Sequence, residues 1–241
     1  MEAVFLLLLF FIALFYSSVG HGGASSYLAL MTLWGMETGL IKSSALVLNM
    51  LVSFIAFVQY AQQGHFKWKS ALPFILTSIP MAYWGGSYSV DTVLYKKIVG
   101  VLLLFSVLRL LGVFNKGQVQ NKPMNIGLAL LIGAAIGFVS GLIGIGGGII
   151  LSPVILLLGW AGMKETAATS ALFILVNSAA GMVSMVNHHT FTFTNEWSWI
   201  LVTLTGGLVG GYWGSKIAPV KQMSYVLAVV LLMASLKLVL Y

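Results

Sequence analysis

Gly141-Leu-Ile-Gly-Ile-Gly-Gly-Gly-Ile-Ile-Leu-Ser-Pro153 decides the fold of this 241-residue chain. It lies between two apolar stretches too short to be ordinary membrane spans. Gly20-His-Gly-Gly23 occupies a matching place in the first half. A helix broken inside a bilayer exposes backbone N–H and C=O groups that lipid cannot satisfy, each costing roughly several kcal/mol. Such breaks survive where protein or a polar cavity covers them. Two of them, at corresponding points of two halves, point to a transporter substrate site.

Composition agrees with a membrane setting. The chain is 59% hydrophobic and 7% charged, with a mean hydropathy of +1.01. A soluble domain carries about 25% charged residues. Apolar residues come in long runs without alternation, as in bundle-buried and lipid-facing helices. A β-barrel would show alternating segments of about ten residues, and none is present. The formal net charge of +7 does not indicate nucleic-acid binding, because the basic residues are scattered over short loops. With no cysteine there is no disulfide, thiolate nucleophile or cysteine metal site. The N-terminus lacks a basic n-region and a small-residue cleavage site, so it reads as a mature membrane segment.

Apolar segments run over 3–17, 26–35, 43–61, 70–88, 95–114, 125–141, 149–160, 167–187, 197–213 and 223–240. A full span needs about 20 residues. Segments 26–35 and 149–160 fall short, and 3–17 and 125–141 are marginal. The halves resemble each other. Gly20-His-Gly-Gly23 aligns with Gly144-Ile-Gly-Gly147, Tyr83-Trp-Gly85 with Tyr212-Trp-Gly214, and Val101-Leu-Leu-Leu with Val229-Val-Leu-Leu. The offset drifts from 124 to 129 residues. This predicts a first membrane repeat at 1–115, a linker at 116–124 and a second repeat at 125–241. Pro123 fits just before a helix start.

Five segments per half is an odd number, so the second half should be inverted relative to the first. With Glu2 outside, inside loops carry Lys67, Lys69, Arg109, Lys116, Lys122, Lys164, Lys216 and Lys221. Outside loops and ends carry Lys42, Lys96, Lys97 and Lys237. This bias places both termini outside. The two glycine breaks then enter the membrane from opposite faces, whether the short pairs cross or re-enter.

Glycine lets backbone approach a ligand closely. A helix that starts after a break presents unpaired N–H groups and the positive end of its dipole, a ready anion site. Gly146, Gly147, Gly148 and Ile149 are the candidate donors of the second break, after Gly144. In the first break they are Gly22, Gly23, Ala24 and Ser25, after Gly20, with hydroxyls from Ser25 and Ser26. Soluble phosphate-loop motifs are absent. Gly35, Gly100, Gly133 and Gly137 read as close helix packing instead.

The second run resembles the second-repeat motif of the TauE/SafE sulfite exporter family. Gly20-His-Gly-Gly-Ala-Ser-Ser-Tyr-Leu-Ala-Leu30 is similar to its first-repeat counterpart. Ala167-Ala-Thr-Ser-Ala-Leu172 and Asn177 resemble the segment after the second motif. The resemblance covers essentially the whole chain. It implies a multi-pass transporter of anions such as sulfite, sulfonates or related organosulfur compounds. Ala24 stands where the second repeat has Gly148, and Ala29 where it has Pro153, so the two sides of the site are not equivalent.

His21 is the ionisable residue inside a break, and the five carboxylates fall at or near segment ends. An intramembrane ionisable group is a functional candidate. Histidine can carry a proton near neutral pH or contact an anion, so His21 is the proton-coupling candidate; the bland alternative is a neutral ring bonded to broken backbone. Asn49, Asn177, Thr169 and Ser170 lie in helices that should flank the breaks, and Asn49 and Asn177 fall at similar depths in the third segment of each half. Asn49, Asn177 and Ser170 join the substrate-binding set, whereas Ser44 and Thr169 read as inter-helix bonding. His188-His189 reads as a solvated loop pair, not a metal site. Trp34, Trp68, Trp160 and Trp197 read as interfacial anchors, and the methionines as core filler.

The sequence predicts an all-α integral membrane protein of two inverted-topology repeats, each of about five helical segments, with short broken or re-entrant helices at the glycine motifs. Its function is transport of a small anion by alternating access, in the cell membrane. No catalytic residue, cofactor or metal is expected. The partners are the lipid bilayer and the anionic substrate. The rivals are an anion channel on the same breaks and an intramembrane enzyme using Ser25, Ser26 and His21.

Overall fold

The computed structural model describes residues 2–88, 122–193 and 197–217, with isolated positions between 97 and 108 and Leu232. All regular structure among these residues is α-helical. The helices are α1 (Glu2–Ser18), α2 (Ala24–Leu33), α3 (Thr38–Gln62), α4 (Trp68–Gly86), α5 (Ile126–Ile143), α6 (Gly148–Leu158), α7 (Met163–Asn187) and α8 (Trp197–Lys216). Apart from those isolated positions, the expected fifth segments at 95–114 and 223–240, and linker residues 116–121, lie outside the described residues.

Each helix falls on an apolar run read from the sequence. In an apolar surrounding only an internally bonded backbone satisfies its own polar groups. Asn125 caps α5, its side chain accepting from the Leu128 N–H at 3.0 Å. Three helices, α3, α5 and α7, are long and apolar enough to cross a membrane. At 1.5 Å per residue the 25-residue α3 and α7 reach about 37 Å, against a hydrocarbon core of about 30 Å. The 10-residue α2 and 11-residue α6 reach only about 15–17 Å, half that thickness. Leu7, Leu76, Leu131 and Leu201 point outward and are more than half exposed. In water such a surface would be a liability; facing lipid it is ordinary. The protein is a membrane protein.

α3 and α7 pack on each other at the centre. α4 lies along α5 and also on α7; α1 lies along α8, which also packs on α3. α2 packs on α3, and α6 on α7. Both outer pairs close on small residues. Gly133, Gly137 and Gly141 of α5 abut the carbonyls of Phe74, Ser78 and Ala82 of α4. Gly206, Gly210 and Gly214 of α8 abut those of Phe10, Leu14 and Ser18 of α1. Lipid tails are as apolar as leucine, so such contacts hold helices together by close approach. The packing role expected for Gly133 and Gly137 is thus borne out. Gly35 is different: nothing lies within 4 Å of where its Cβ would be, and its φ of +75° marks the turn after α2. That segment needs a left-handed residue, not a thin one.

A methyl added at Gly137 would sit 2.5 Å from the Ser78 carbonyl oxygen. Gly137→Ala should therefore destabilise the α4–α5 pair by about 1–3 kcal/mol. Gly127→Ala, in the same helix with only Asn125 Oδ1 at 3.5 Å, should be neutral or better. Thermal unfolding of both variants in detergent checks the contrast.

Candidate functional site

Each short helix follows a glycine break. α1 stops at Ser18, and the Tyr60 hydroxyl of α3 donates to the Ser18 carbonyl at 2.8 Å, satisfying one orphan of that helix end. The chain then turns through Gly20 (φ +75°) and Gly23 (φ +100°), and Gly23 stands at the N-cap of α2. In the second half the matching left-handed positions are Gly144 (φ +84°) and Gly147 (φ +74°), with Gly147 at the N-cap of α6. A side chain is strained at these angles. Space excludes one too. A Cβ on Gly20 would lie 2.6 Å from Ala167 of α7, and one on Gly144 would lie 2.9 Å from Lys42 of α3. Each break is wedged against the opposite half.

His21 is 2% exposed. Its Nδ1 lies 2.9 Å from the Val19 carbonyl, which can only accept, so Nδ1 carries a proton. Nε2 lies 3.2 Å from the Ser152 hydroxyl of α6, and Ser152 lies 2.6 Å from the Ser170 hydroxyl of α7. In the neutral ring Nε2 accepts from Ser152. A charged ring would donate there, and Ser152 would have to donate onward to Ser170. The first break is thereby joined to both elements that flank the second.

Asn49 of α3 makes the other bridge. Its Oδ1 accepts from the Ala24 N–H, the first of α2, at 3.0 Å. Its Nδ2 donates to the Ser178 hydroxyl of α7 at 2.8 Å. A Cβ on either Gly22 or Gly146 would collide with the Asn49 side chain. One amide therefore caps a helix of its own half and touches both breaks. Ser25 and Ser26 are also engaged: Ser25 Oγ lies 2.7 Å from the Tyr16 hydroxyl, and Ser26 donates to that hydroxyl at 3.1 Å.

The second break is furnished differently. No described residue accepts a hydrogen bond from the N–H groups of Gly146, Gly147, Gly148 or Ile149. One stripe of α7 faces this break. The Ser170 carbonyl and Ile174 border Gly148, the Phe173 ring borders Gly147, and Ile174 and Ser178 border Gly146. Asn177 shares that stripe and is 1% exposed. Its Nδ2 donates to the Phe173 carbonyl at 2.8 Å, while Oδ1 has no partner. Ser140, whose Cβ borders Gly147, also has an unpartnered buried hydroxyl.

The residues expected from sequence thus come together, with two adjustments. Asn49 and Asn177 are not counterparts. Gly22 meets Asn49 where Gly146 meets Ile174, so Ile174 is the counterpart of Asn49, and Asn177 lies almost a turn beyond. Likewise Gly86 meets Ser184 where Gly211 meets Gln59, which places Gly210, not Gly214, opposite Gly85. Ser152, Ser178, Tyr16 and Ser140 were missed as site residues. Ser152 sits inside the second motif and Ser178 follows Asn177; nothing in the sequence signals Tyr16 or Ser140.

At one end of the molecule Lys67 and Ser70 bond Glu165, and Lys164 reaches the Ser215 carbonyl at 3.3 Å. The Lys67–Glu165 pair is mostly exposed on the lysine side, so it adds little stability. His65 at this end has its pKa lowered by partial desolvation and then by the Lys164 charge. His188 and His189 are exposed, and Trp34, Trp68, Trp160 and Trp197 stand at helix ends, as the sequence reading had them.

The profile of the sulfite exporter TauE/SafE family matches residues 5–238. The chain belongs to the TauE/SafE family. The probable membrane transporter protein y4hK of Sinorhizobium fredii is 35% identical over 245 residues, covering 98% of each chain. The probable membrane transporter protein MJ0441 of Methanocaldococcus jannaschii is 25% identical over 206 residues, 79% of this chain and 77% of that one. YunE of Bacillus subtilis, also called a probable membrane transporter protein, is 28% identical over 188 residues. No solved structure gives a significant match. This TauE/SafE protein is a probable membrane transporter, as its relatives are named. Of the three residues named for an intramembrane enzyme, His21 Nε2 lies against Ser152, while Ser25 and Ser26 bond Tyr16.

Removing the Asn49 amide leaves a helix-start N–H and a buried hydroxyl without partners. Asn49→Leu should cost about 1–3 kcal/mol of stability, and Ser178→Ala, which loses one bond, less. Denaturant unfolding in detergent tests the order.

Proposed function

We propose that the protein carries a small oxyanion across the cell membrane by alternating access, binding it where the two glycine breaks meet. The observation that carries this reading is the buried junction of the halves. His21 of the first break bonds Ser152 beyond the second, and Asn49 touches both. Breaks placed only for packing would not need to converge on polar groups in the middle of an apolar bundle.

The inverted two-repeat plan is part of the proposal. Its support is that the main helix pairings among the described residues have counterparts with the halves exchanged: α4–α5 with α8–α1, α4–α7 with α8–α3, and α2–α3 with α6–α7. α2 and α6, each about half a membrane long, read as half-helices ending at the breaks. Lys67, Lys164 and the neighbourhood of Lys216 share one end, which supports an inside face there and both termini outside.

The anion sits at the N-terminus of α6. Free N–H groups and the helix dipole favour negative charge there without a fixed cation. Sulfite, sulfonates and related organosulfur anions are the class the family name suggests. His21 couples a proton: its charge state sets the direction of the Ser152–Ser170 hydrogen bonds. His21, Asn49, Ser152, Ser170 and Asn177 are all at most 2% exposed, which favours a gated carrier over an open anion channel.

Purified protein in liposomes should move sulfite, methanesulfonate or thiosulfate with saturable kinetics. Gly147→Val should abolish that flux, and His21→Ala should flatten its pH dependence. A folded Gly147→Val protein with normal transport removes the site. Flux that never saturates moves the reading to a channel, and an unchanged pH profile removes the role of His21.

A further inference from the structure

An unpartnered buried acceptor, Asn177 Oδ1, lies on the stripe of α7 that faces the second break. A cradle of N–H groups needs only acceptors from its ligand, so any small oxyanion would serve. Asn177 adds the opposite demand. Its Nδ2 is committed to the Phe173 carbonyl at 2.8 Å, and turning the amide over would set two acceptors against each other. Oδ1 is therefore held as an acceptor, buried and without a partner. The stripe of α7 that bears Asn177 also bears Phe173, Ile174 and Ser178, which border Gly146 and Gly147. The Ser140 hydroxyl near Gly147 can donate or accept, so it does not discriminate.

We infer that Asn177 is a specificity-determining residue, and that the site prefers monoanions carrying their own O–H or N–H donor. This rests on the reading of the second break as the anion site. The ligand turns its anionic oxygens to the N–H groups of Gly146–Ile149 and gives its proton to Asn177 Oδ1. A hydrogen-bearing oxyanion meets both demands. An anion of equal shape and charge with a methyl group in that place leaves Oδ1 desolvated and unpaired, a penalty that a hydrogen-bonding site uses to reject analogues.

Sulfamate and methanesulfonate are the probes. Both are tetrahedral sulfur monoanions at neutral pH, and they differ by an amino group in place of a methyl. Equilibrium binding to the purified full chain in nanodiscs should favour sulfamate by at least about fivefold, the lower end for an unpaired buried acceptor. Asn177→Leu and Asn177→Ala, each first checked for folding by thermal melt, should bring the ratio of the two affinities toward one. Equal affinities in the parent protein, or a preference that survives in both variants, overturns the inference while leaving the anion site standing. If neither anion binds, the anion site falls and takes the inference with it.

Discussion

Helices α1 and α5 stop, and α2 and α6 start, among buried apolar residues where only protein can satisfy their end groups, and the rest of the molecule is arranged around that need. The Tyr60 hydroxyl closes the carbonyl end of α1, and Asn49 reaches from α3 to close the N–H end of α2. Both come from a helix 25 residues long, so a full-length element supplies the caps that a half-length one lacks. A local Ser or Asp cap is not available, because the N-cap positions must be glycine to turn the chain. The cap is therefore borrowed across the fold, and it ties the break to the central α3–α7 pair.

The two halves answer this constraint unequally. At the first break Asn49 takes the Ala24 N–H and Tyr16 holds Ser25 and Ser26, while the N–H groups of Gly22, Gly23 and Ser25 have no described acceptor. At the second, Ile174 stands where Asn49 would be, and the N–H groups keep no described partner. The outer pairs are unequal in the same sense. At the α4–α5 pair both helices bring glycines, Gly85 of α4 and Gly133, Gly137 and Gly141 of α5, whereas at the other pair they lie on α8 alone and receive α1. Both solutions give the close backbone approach that a lipid-embedded pair needs, and they let the sequences of the halves diverge while the packing persists. A site with one furnished side and one open side has a natural place for a ligand.

Much of this was legible in the chain. The eight described helices fall on the apolar runs, because hydropathy and length are the dominant constraints in lipid. The breaks were legible because glycine at a left-handed N-cap has few substitutes. The family was legible from the motifs at both breaks. What could not be read was adjacency. Asn49 and Ser178 lie 129 residues apart in sequence, and His21 and Ser152 are 131 apart. Hydroxyls such as Ser140 and Tyr16 look like dozens of others in apolar helices until packing brings a break beside them. The pairing of Asn49 with Asn177 failed for a related reason: a match within one turn of the right residue looks the same in sequence, yet only the wedge of Gly22 and Gly146 fixes the true register.

If both breaks form one buried site reached from each membrane face in turn, a thiol placed between them is open to each face. The chain has no cysteine, so a single introduced thiol reports without background. Ser152→Cys places it between His21 and Ser170. A membrane-impermeant thiol reagent should modify this cysteine when added to either face of oriented vesicles. Modification from one face only, under all substrate gradients, would contradict it.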